Sequence, residues 1–177
     1  DQRLRGFEAL IVGAEGNAPA MAALSRLLRS DGRKEAAADL AARALALAPD
    51  DAEVRALARE ILSMDVPSWH FAIVRDTPRN RAYEEALRRA VTPGCRVLEI
   101  GTGTGILSMM AARAGAAHVF TCEMEPAVAL AARDVIARNG LADQITVISK
   151  RSTDVEAAEL GGPADVLVSE TVSNDML

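Results

Sequence analysis

Apolar positions in the first third of the chain recur with the period of a helix. Met21, Leu24 and Leu28 stand at i, i+3 and i+7, one stripe along a helix of 3.6 residues per turn. The stripe ends at Ser30-Asp31-Gly32, where glycine supplies the left-handed conformation that closes a helix. A second stripe, Ala37, Leu40, Ala41, Ala44 and Leu45, runs up to Pro49. Asp50 then stands where it caps a third helix, with Glu53 completing a capping box, and Val54, Leu57, Ala58, Ile61 and Leu62 form the apolar face. Residues 17–63 thus read as helix, turn, helix, turn, helix. Residues 64–94, punctuated by Pro67, Pro78 and Pro93, read as a connector followed by a helix from about Asn80 to Ala90.

From Arg96 the rhythm changes. Short apolar runs at Arg96–Ile100, His118–Cys122, Ile145–Ile148 and Ala164–Ser169 alternate with helical segments, one reaching about Ala114 and one spanning Pro126–Asn139 before Gly140. Short buried strands alternating with helices predict an α/β fold: a Rossmann-like parallel sheet with helices on both faces. Right-handed crossovers and a switch point place a ligand at the C-terminal ends of the strands. The predicted domains are an all-α segment at 1–64 and the α/β domain at 65–177, which reads as truncated at its C-terminal end.

The helical segment has a spacing that resembles a tetratricopeptide repeat. Counting back from Pro49, Ala44, Ala37, Leu28, Ser25 and Leu24 fall where that repeat takes small or apolar residues. Such helices form peptide-binding grooves, so a peptide partner is expected there. Composition changes little in this picture. Half the residues are hydrophobic and 3% aromatic, so the core is built from Ala, Leu, Val and Ile. A net charge of −5 argues against a nucleic-acid binder, which needs clustered Lys and Arg. Leu4 to Val12 is apolar but short, and no stretch approaches the roughly 18–20 residues of a membrane span. Cys95 and Cys122 stand beside strands in no metal-ligand spacing, and His70 and His118 lie far apart. The reading is therefore two reduced core cysteines, no metal, no membrane and a cytoplasmic location.

The chemistry concentrates at Val97-Leu98-Glu99-Ile100-Gly101-Thr102-Gly103-Thr104-Gly105. Glycines let the chain turn sharply and let a ligand touch the backbone. A dinucleotide fold wants G-x-G-x-x-G, and Ile106 occupies its third glycine position. The glycines run G-x-G-x-G instead, after an acidic Glu99 inside the strand. S-adenosylmethionine has no phosphate to seat, and its ammonium favours a nearby carboxylate. Glu123 stands at the end of the second strand, where a carboxylate accepts hydrogen bonds from both ribose hydroxyls. Met124, next to it, is placed to pack on the adenine face.

With these motifs together, VLEIGTGTGILS, VFTCEMEP and VLVSETV, preceded by Trp69-His70-Phe71 and Arg79-Asn80-Arg81-Ala82-Tyr83, the chain resembles the protein arginine N-methyltransferases. These are class I S-adenosylmethionine-dependent enzymes, and the likeness is to the branch with N-terminal tetratricopeptide repeats. The resemblance implies that Arg79 clamps the cofactor carboxylate, His70 lines the cofactor pocket, and Gly101 and Gly103 meet the cofactor through the backbone. It implies that Glu123 binds the ribose and that Ser152 and Thr153 lie near the adenine, although the family often has Glu where Thr153 stands. Glu170 is implied as the first of two glutamates that grip the substrate guanidinium; the second falls beyond the end of the chain. The expected reaction is methyl transfer to an arginine of a protein or peptide substrate, giving S-adenosylhomocysteine, with a homo-oligomer in the full-length protein and little catalysis by residues 1–177 alone. The alternatives are a class I methyltransferase acting on another nucleophile, or a non-catalytic cofactor-binding and repeat interaction module.

Overall fold

The computed structural model describes residues 2–64 and 69–171, with the side chains of 2–5 and 69–71 outside the description. The chain divides into two compact units, Asp1–Val66 and Pro67–Leu177, against the 64/65 division expected from the sequence.

Among the described residues the first unit holds four helices, α1 (Gln2–Ala14), α2 (Ala18–Ser30), α3 (Lys34–Leu47) and α4 (Ala52–Ser63). The apolar stretch at Leu4–Val12 is part of α1, whose Phe7 and Ile11 pack on the shared core. Asn17 caps α2 by accepting from the Ala20 N–H. At the other end Gly32 takes φ +82°. Its N–H bonds to Arg29 O while Arg33 N–H bonds to Leu28 O, the paired bonds of a Schellman stop. The cap of α4 is Asp51 rather than the anticipated Asp50. Its Oδ1 accepts from the N–H groups of Glu53 and Val54 at 2.9 and 3.0 Å, because the helix begins one residue later than a cap at Asp50 requires. Ala22, Ala37, Ala41, Ala44 and Ala58 are fully buried among Met21, Leu24, Leu28, Leu40, Val54 and Ile61. Small side chains at these positions bring the helix axes close.

The second unit contains α5 (Trp69–Arg75), α6 (Thr77–Ala90), β1 (Arg96–Ile100), α7 (Ile106–Arg113), β2 (His118–Cys122), α8 (Pro126–Arg138), β3 (Ile145–Ile148), a short 3-10 turn (Ser152–Asp154) and β4 (Val166–Ser169). Helix α5 lies where a connector was expected. Helix α6 starts at Thr77 rather than Asn80 because Asp76 caps it, accepting from Arg79 N–H, and Pro78 sits in its first turn, where a missing N–H costs nothing. The four strands are all parallel, in the order β3-β2-β1-β4.

Strand side chains alternate between faces. Val97, Val119, Ile145 and Val147 meet Met109, Ala111 and Ala112 of α7, Ala129, Ala132 and Ile136 of α8, and Leu87 of α6 in one core. Both α7 and α8 therefore lie on the same face. This follows from two right-handed crossovers stepping in one direction, β1 to β2 to β3. The return to β4 passes over the other face, and among the described residues it carries turns instead of an α-helix. Arg96 marks that path, with its side chain over the Phe120 ring and bonded to Gly161 O. Leu167 on this second face is 64% exposed. Strand β1, flanked by β2 and β4, is the point where the chain reverses its march across the sheet. The candidate site lies at its C-terminal end.

Candidate functional site

Every glycine of the loop after β1 has positive φ: +87° at Gly101, +53° at Gly103 and +80° at Gly105. L side chains rarely adopt this region. A Cβ at Gly101 would also stand 2.8 Å from Thr171 Cγ2, so the chain passes here with no room to spare. Four of the five backbone donors of residues 101–105 are spent inside the protein. Gly101 and Thr102 N–H both bond to Cys122 O, Gly105 N–H to Thr102 O, and Gly103 N–H to Glu123 Oε2 at 3.0 Å. A phosphate-binding loop works the opposite way, aiming successive N–H groups at the ligand. Most of this loop therefore presents a wall rather than a row of free donors.

Glu123, at the end of β2, is the residue that fixes the wall. One carboxylate oxygen takes Gly103 N–H, and the other takes Glu125 N–H at 3.0 Å, at the entrance to α8. A carboxylate has about four lone-pair directions, so two such bonds leave acceptor capacity for further donors. Met124 is 51% exposed immediately beyond.

Glu99 belongs to a different layer. It is 1% exposed, on the helix-facing side of β1 with Val97. Its Oε2 accepts hydrogen bonds from Ser108 Oγ of α7 and from Thr121 Oγ1 of β2. Thr121 Oγ1 in turn lies 2.6 Å from Thr102 Oγ1 in the glycine loop. Burial pushes the carboxyl up to about 7, opposed by the bonds from Ser108 and Thr121. Glu99 thus braces the loop from below, through Thr121 and Thr102. Sequence reasoning missed this network of Ser108, Thr121 and Thr102. The available signal was Thr121, a hydroxyl on the same strand face as buried Val119 and opposite Glu99 in the β1–β2 register.

On the β4 side the structure brings Arg79 and Glu170 together. Arg79 Nη2 lies 2.8 Å from Glu170 Oε2, and Nε lies 3.3 Å from Oε1, a two-point ion pair with 16% and 34% of the side chains exposed. Asn80 Oδ1 accepts from Arg79 Nη1 at 2.9 Å, while its Nδ2 donates to Val74 O at the end of α5. The Tyr83 ring lies 4.9 Å beneath the guanidinium carbon. Asn80 and Tyr83 belong to the Arg79–Tyr83 motif, but their support of Arg79 appears only in the fold.

The other predicted residues stand as follows. His70 is on α5, with its side chain outside the described residues. Ser152 and Thr153 form the exposed 3-10 turn after β3, and Thr153 Oγ1 bonds to Asp154 Oδ1. Cys95 and Cys122 are free and buried. Among the described residues no cluster of His, Cys, Asp and Glu is arranged to hold a metal ion, and no helix is long and apolar enough to cross a membrane.

Comparison with known proteins gives the family of the chain. Residues 83–175 match the family model described as ribosomal protein L11 methyltransferase (PrmA). The chain is 50% identical over 139 residues to an arginine N(omega)-methyltransferase of Streptomyces achromogenes subsp. streptozoticus, a match covering 77% of this chain and 38% of that protein. It is 35% identical over 143 residues to protein arginine N-methyltransferase 9 of Xenopus laevis, covering 80% of this chain and 17% of the relative. Among solved structures, the Trypanosoma brucei PRMT1 enzyme–prozyme heterotetrameric complex with AdoHcy superposes with a TM-score of 0.55 at 34% identity, over 61% of this chain and 33% of that one. The chain thus spans well under half the length of these relatives.

Proposed function

Because the chain belongs to the PrmA-type methyltransferases and has arginine N-methyltransferases as its homologues, we propose that it forms the cofactor-binding part of an S-adenosylmethionine-dependent enzyme that methylates arginine in proteins. The observation that carries this reading is the pairing of an inward-bonded glycine loop with Glu123 at the end of β2. With the N–H groups of Gly101, Thr102, Gly103 and Gly105 occupied, most of the loop offers a ligand shape and closeness rather than anion contacts. Recognition falls to side chains: carboxylate acceptors for ribose hydroxyls, and a guanidinium for a carboxylate. That donor set fits S-adenosylmethionine, which bears a ribose, an amino acid carboxylate and no phosphate. The cofactor supplies a methyl already activated on a sulfonium.

In this proposal Glu123 holds the ribose, Met124 covers the adenine, and Gly101 and Gly103 form the wall along the ligand. Arg79 takes the amino acid carboxylate as a planar fork. Ser152 and Thr153 border the adenine end, and His70 lines the pocket from α5. Glu99 acts from beneath the loop. Glu170 accepts from the substrate guanidinium. An arginine is protonated at ordinary pH, and a carboxylate bonded to one side of the guanidinium holds positive charge there and leaves the far nitrogen facing the methyl. Positioning is the remaining task, and an aligned pair of reactants gains up to several kcal/mol from it. The Ala-lined packing of α2, α3 and α4 supports a repeat-type groove for a peptide partner, and the two buried thiols suit a cytoplasmic location. A match to a model named for a ribosomal-protein methyltransferase favours, as the second reading, a different protein side chain as nucleophile.

The test is calorimetric titration with S-adenosylhomocysteine, NADH serving as the control. Selective binding of S-adenosylhomocysteine, weakened at least about tenfold in Glu123→Ala by loss of charge-assisted hydrogen bonds, is the expected result. Equal binding of NADH, or an unaffected variant, removes the cofactor assignment. An arginine-containing peptide that accepts no methyl from the full-length protein, while another residue does, moves the reading to the second nucleophile.

A further inference from the structure

The glycine loop follows β1 in sequence, but the residues that fix its shape belong to β2 and its end. Three consecutive residues hold it: Thr121 by its hydroxyl, Cys122 by its carbonyl and Glu123 by its carboxylate. Thr102 is held at the most points. Its N–H donates to Cys122 O at 3.1 Å, its carbonyl accepts from Gly105 N–H at 2.8 Å, and its hydroxyl lies 2.6 Å from Thr121 Oγ1. Thr102 is 2% exposed and Thr121 is fully buried, so bulk water satisfies neither hydroxyl. The surrounding bonds decide which of the two donates. A threonine has one hydroxyl proton, and Thr121 gives its own to Glu99 Oε2 at 3.0 Å. The proton between the two threonines is therefore that of Thr102. The hydrogen bonds run in one direction, from Thr102 to Thr121 to Glu99, and end on a buried carboxyl oxygen, where each bond polarises the next. Ser108 Oγ of α7 donates to the same oxygen but stands off the path to the loop.

We propose that Thr121 is a positioning residue for the cofactor: its hydroxyl, held by Glu99, fixes Thr102 and with it the wall against which the ligand lies. This rests on the cofactor reading proposed above, in which Gly101 and Gly103, the chain neighbours of Thr102, form that wall. Thr121 itself touches no ligand. Without its oxygen the Thr102 hydroxyl loses the acceptor it faces, and a buried donor left unsatisfied costs more than the bond it made. The empty loop relieves that cost by turning Thr102 away from β2. A bound ligand presses the loop back, and the cost then appears as lost affinity.

The experiment titrates S-adenosylhomocysteine into the wild-type protein and three variants at pH 8. That is above the value of about 7 to which burial raises Glu99, so its carboxylate only accepts. Thr121→Val keeps the shape of the side chain and removes the hydroxyl. Thr121→Ser keeps the hydroxyl and removes the methyl. Ser108→Ala removes the other hydroxyl on the same carboxylate oxygen. Thr121→Val is expected to bind about fivefold or more weakly than wild type, the effect of one lost hydrogen bond of ordinary strength. Thr121→Ser and Ser108→Ala are expected to bind within about twofold of wild type on the same scale. Undiminished binding by Thr121→Val overturns the proposal. So does an equal weakening in Ser108→Ala, which would mark a general loosening of the core, or in Thr121→Ser, which would place the effect in packing. If the wild type binds no S-adenosylhomocysteine, the cofactor reading fails and the role of Thr121 fails with it.

Discussion

At the scale of single residues, Glu99 carries the largest electrostatic consequence. A carboxyl in an unfolded chain titrates near 4.5, and in the fold burial raises Glu99 to about 7. The folded state therefore binds the proton more tightly than the unfolded state. The sign follows: the contribution to stability is fully present below about pH 4.5 and is lost as pH rises through about 7. The loss is on the order of 3 kcal/mol for a shift of this size. Glu99→Gln removes the titration but keeps an acceptor for Ser108 and Thr121. Urea unfolding of both proteins at pH 5 and pH 8 is expected to show the variant gaining on wild type as pH rises. A stability difference that stays level across that range would show that Glu99 is not held as the Ser108–Glu99–Thr121 bonding requires. The same buried acid explains why its place was only half legible in the sequence. Glu99 stood out as an acid in an apolar strand, which pointed to the ligand. Strand parity puts it on the helix-facing side, where Ser108 reaches it from α7.

Elements were legible where a local rule decides them. The bounds of β1, β2 and β3 follow from apolar runs between turn residues, and those of α2 from a stripe closed by Gly32. The fold departs from local rules where the choice depends on contacts distant in sequence. Helix α1 is stabilised through Phe7 and Ile11 against residues of other helices, and α5 lies in a stretch that its neighbouring prolines made look like a linker. The pairing of Arg79 with Glu170 joins α6 to the end of β4 across 91 positions, a separation no spacing rule spans. Caps sit between these cases: the residue type was readable, but the choice between Asp50 and Asp51 was not. The two make a direct test. Asp51 accepts two backbone N–H groups at the start of α4, so Asp51→Ala is expected to lower stability by about 1 kcal/mol. Asp50→Ala, in the preceding turn, is expected to change it by less than about 0.5 kcal/mol. Thermal unfolding of both variants checks this, and equal losses would contradict the assigned cap.

At the scale of the molecule, the two units differ in how far apart in sequence their contacts lie. In the first, α2, α3 and α4 pack on their chain neighbours. In the second, the central strand β1 pairs with β4, Ile100 beside Ser169, across an interval of 69 positions. Local helical contacts form within about microseconds to milliseconds, and non-local strand pairing takes about milliseconds to seconds. Pulse-labelled hydrogen exchange during refolding is expected to protect α2–α4 amides first and the β1–β4 amides last; simultaneous protection would refute the ordering. The position of β4 beside β1 also has a meaning on the ribosome. A bacterial or eukaryotic ribosome adds about 5–20 residues per second. Strand β1 is therefore complete for roughly 3 to 14 seconds before the strand that closes its open side has been made, over the same interval of 69 positions. During that time β1 presents an unpaired edge of backbone donors and acceptors to the crowded exit of the tunnel. Synthesis rate, and any chaperone that shields that edge, thus set how much of this chain reaches the sheet order described above.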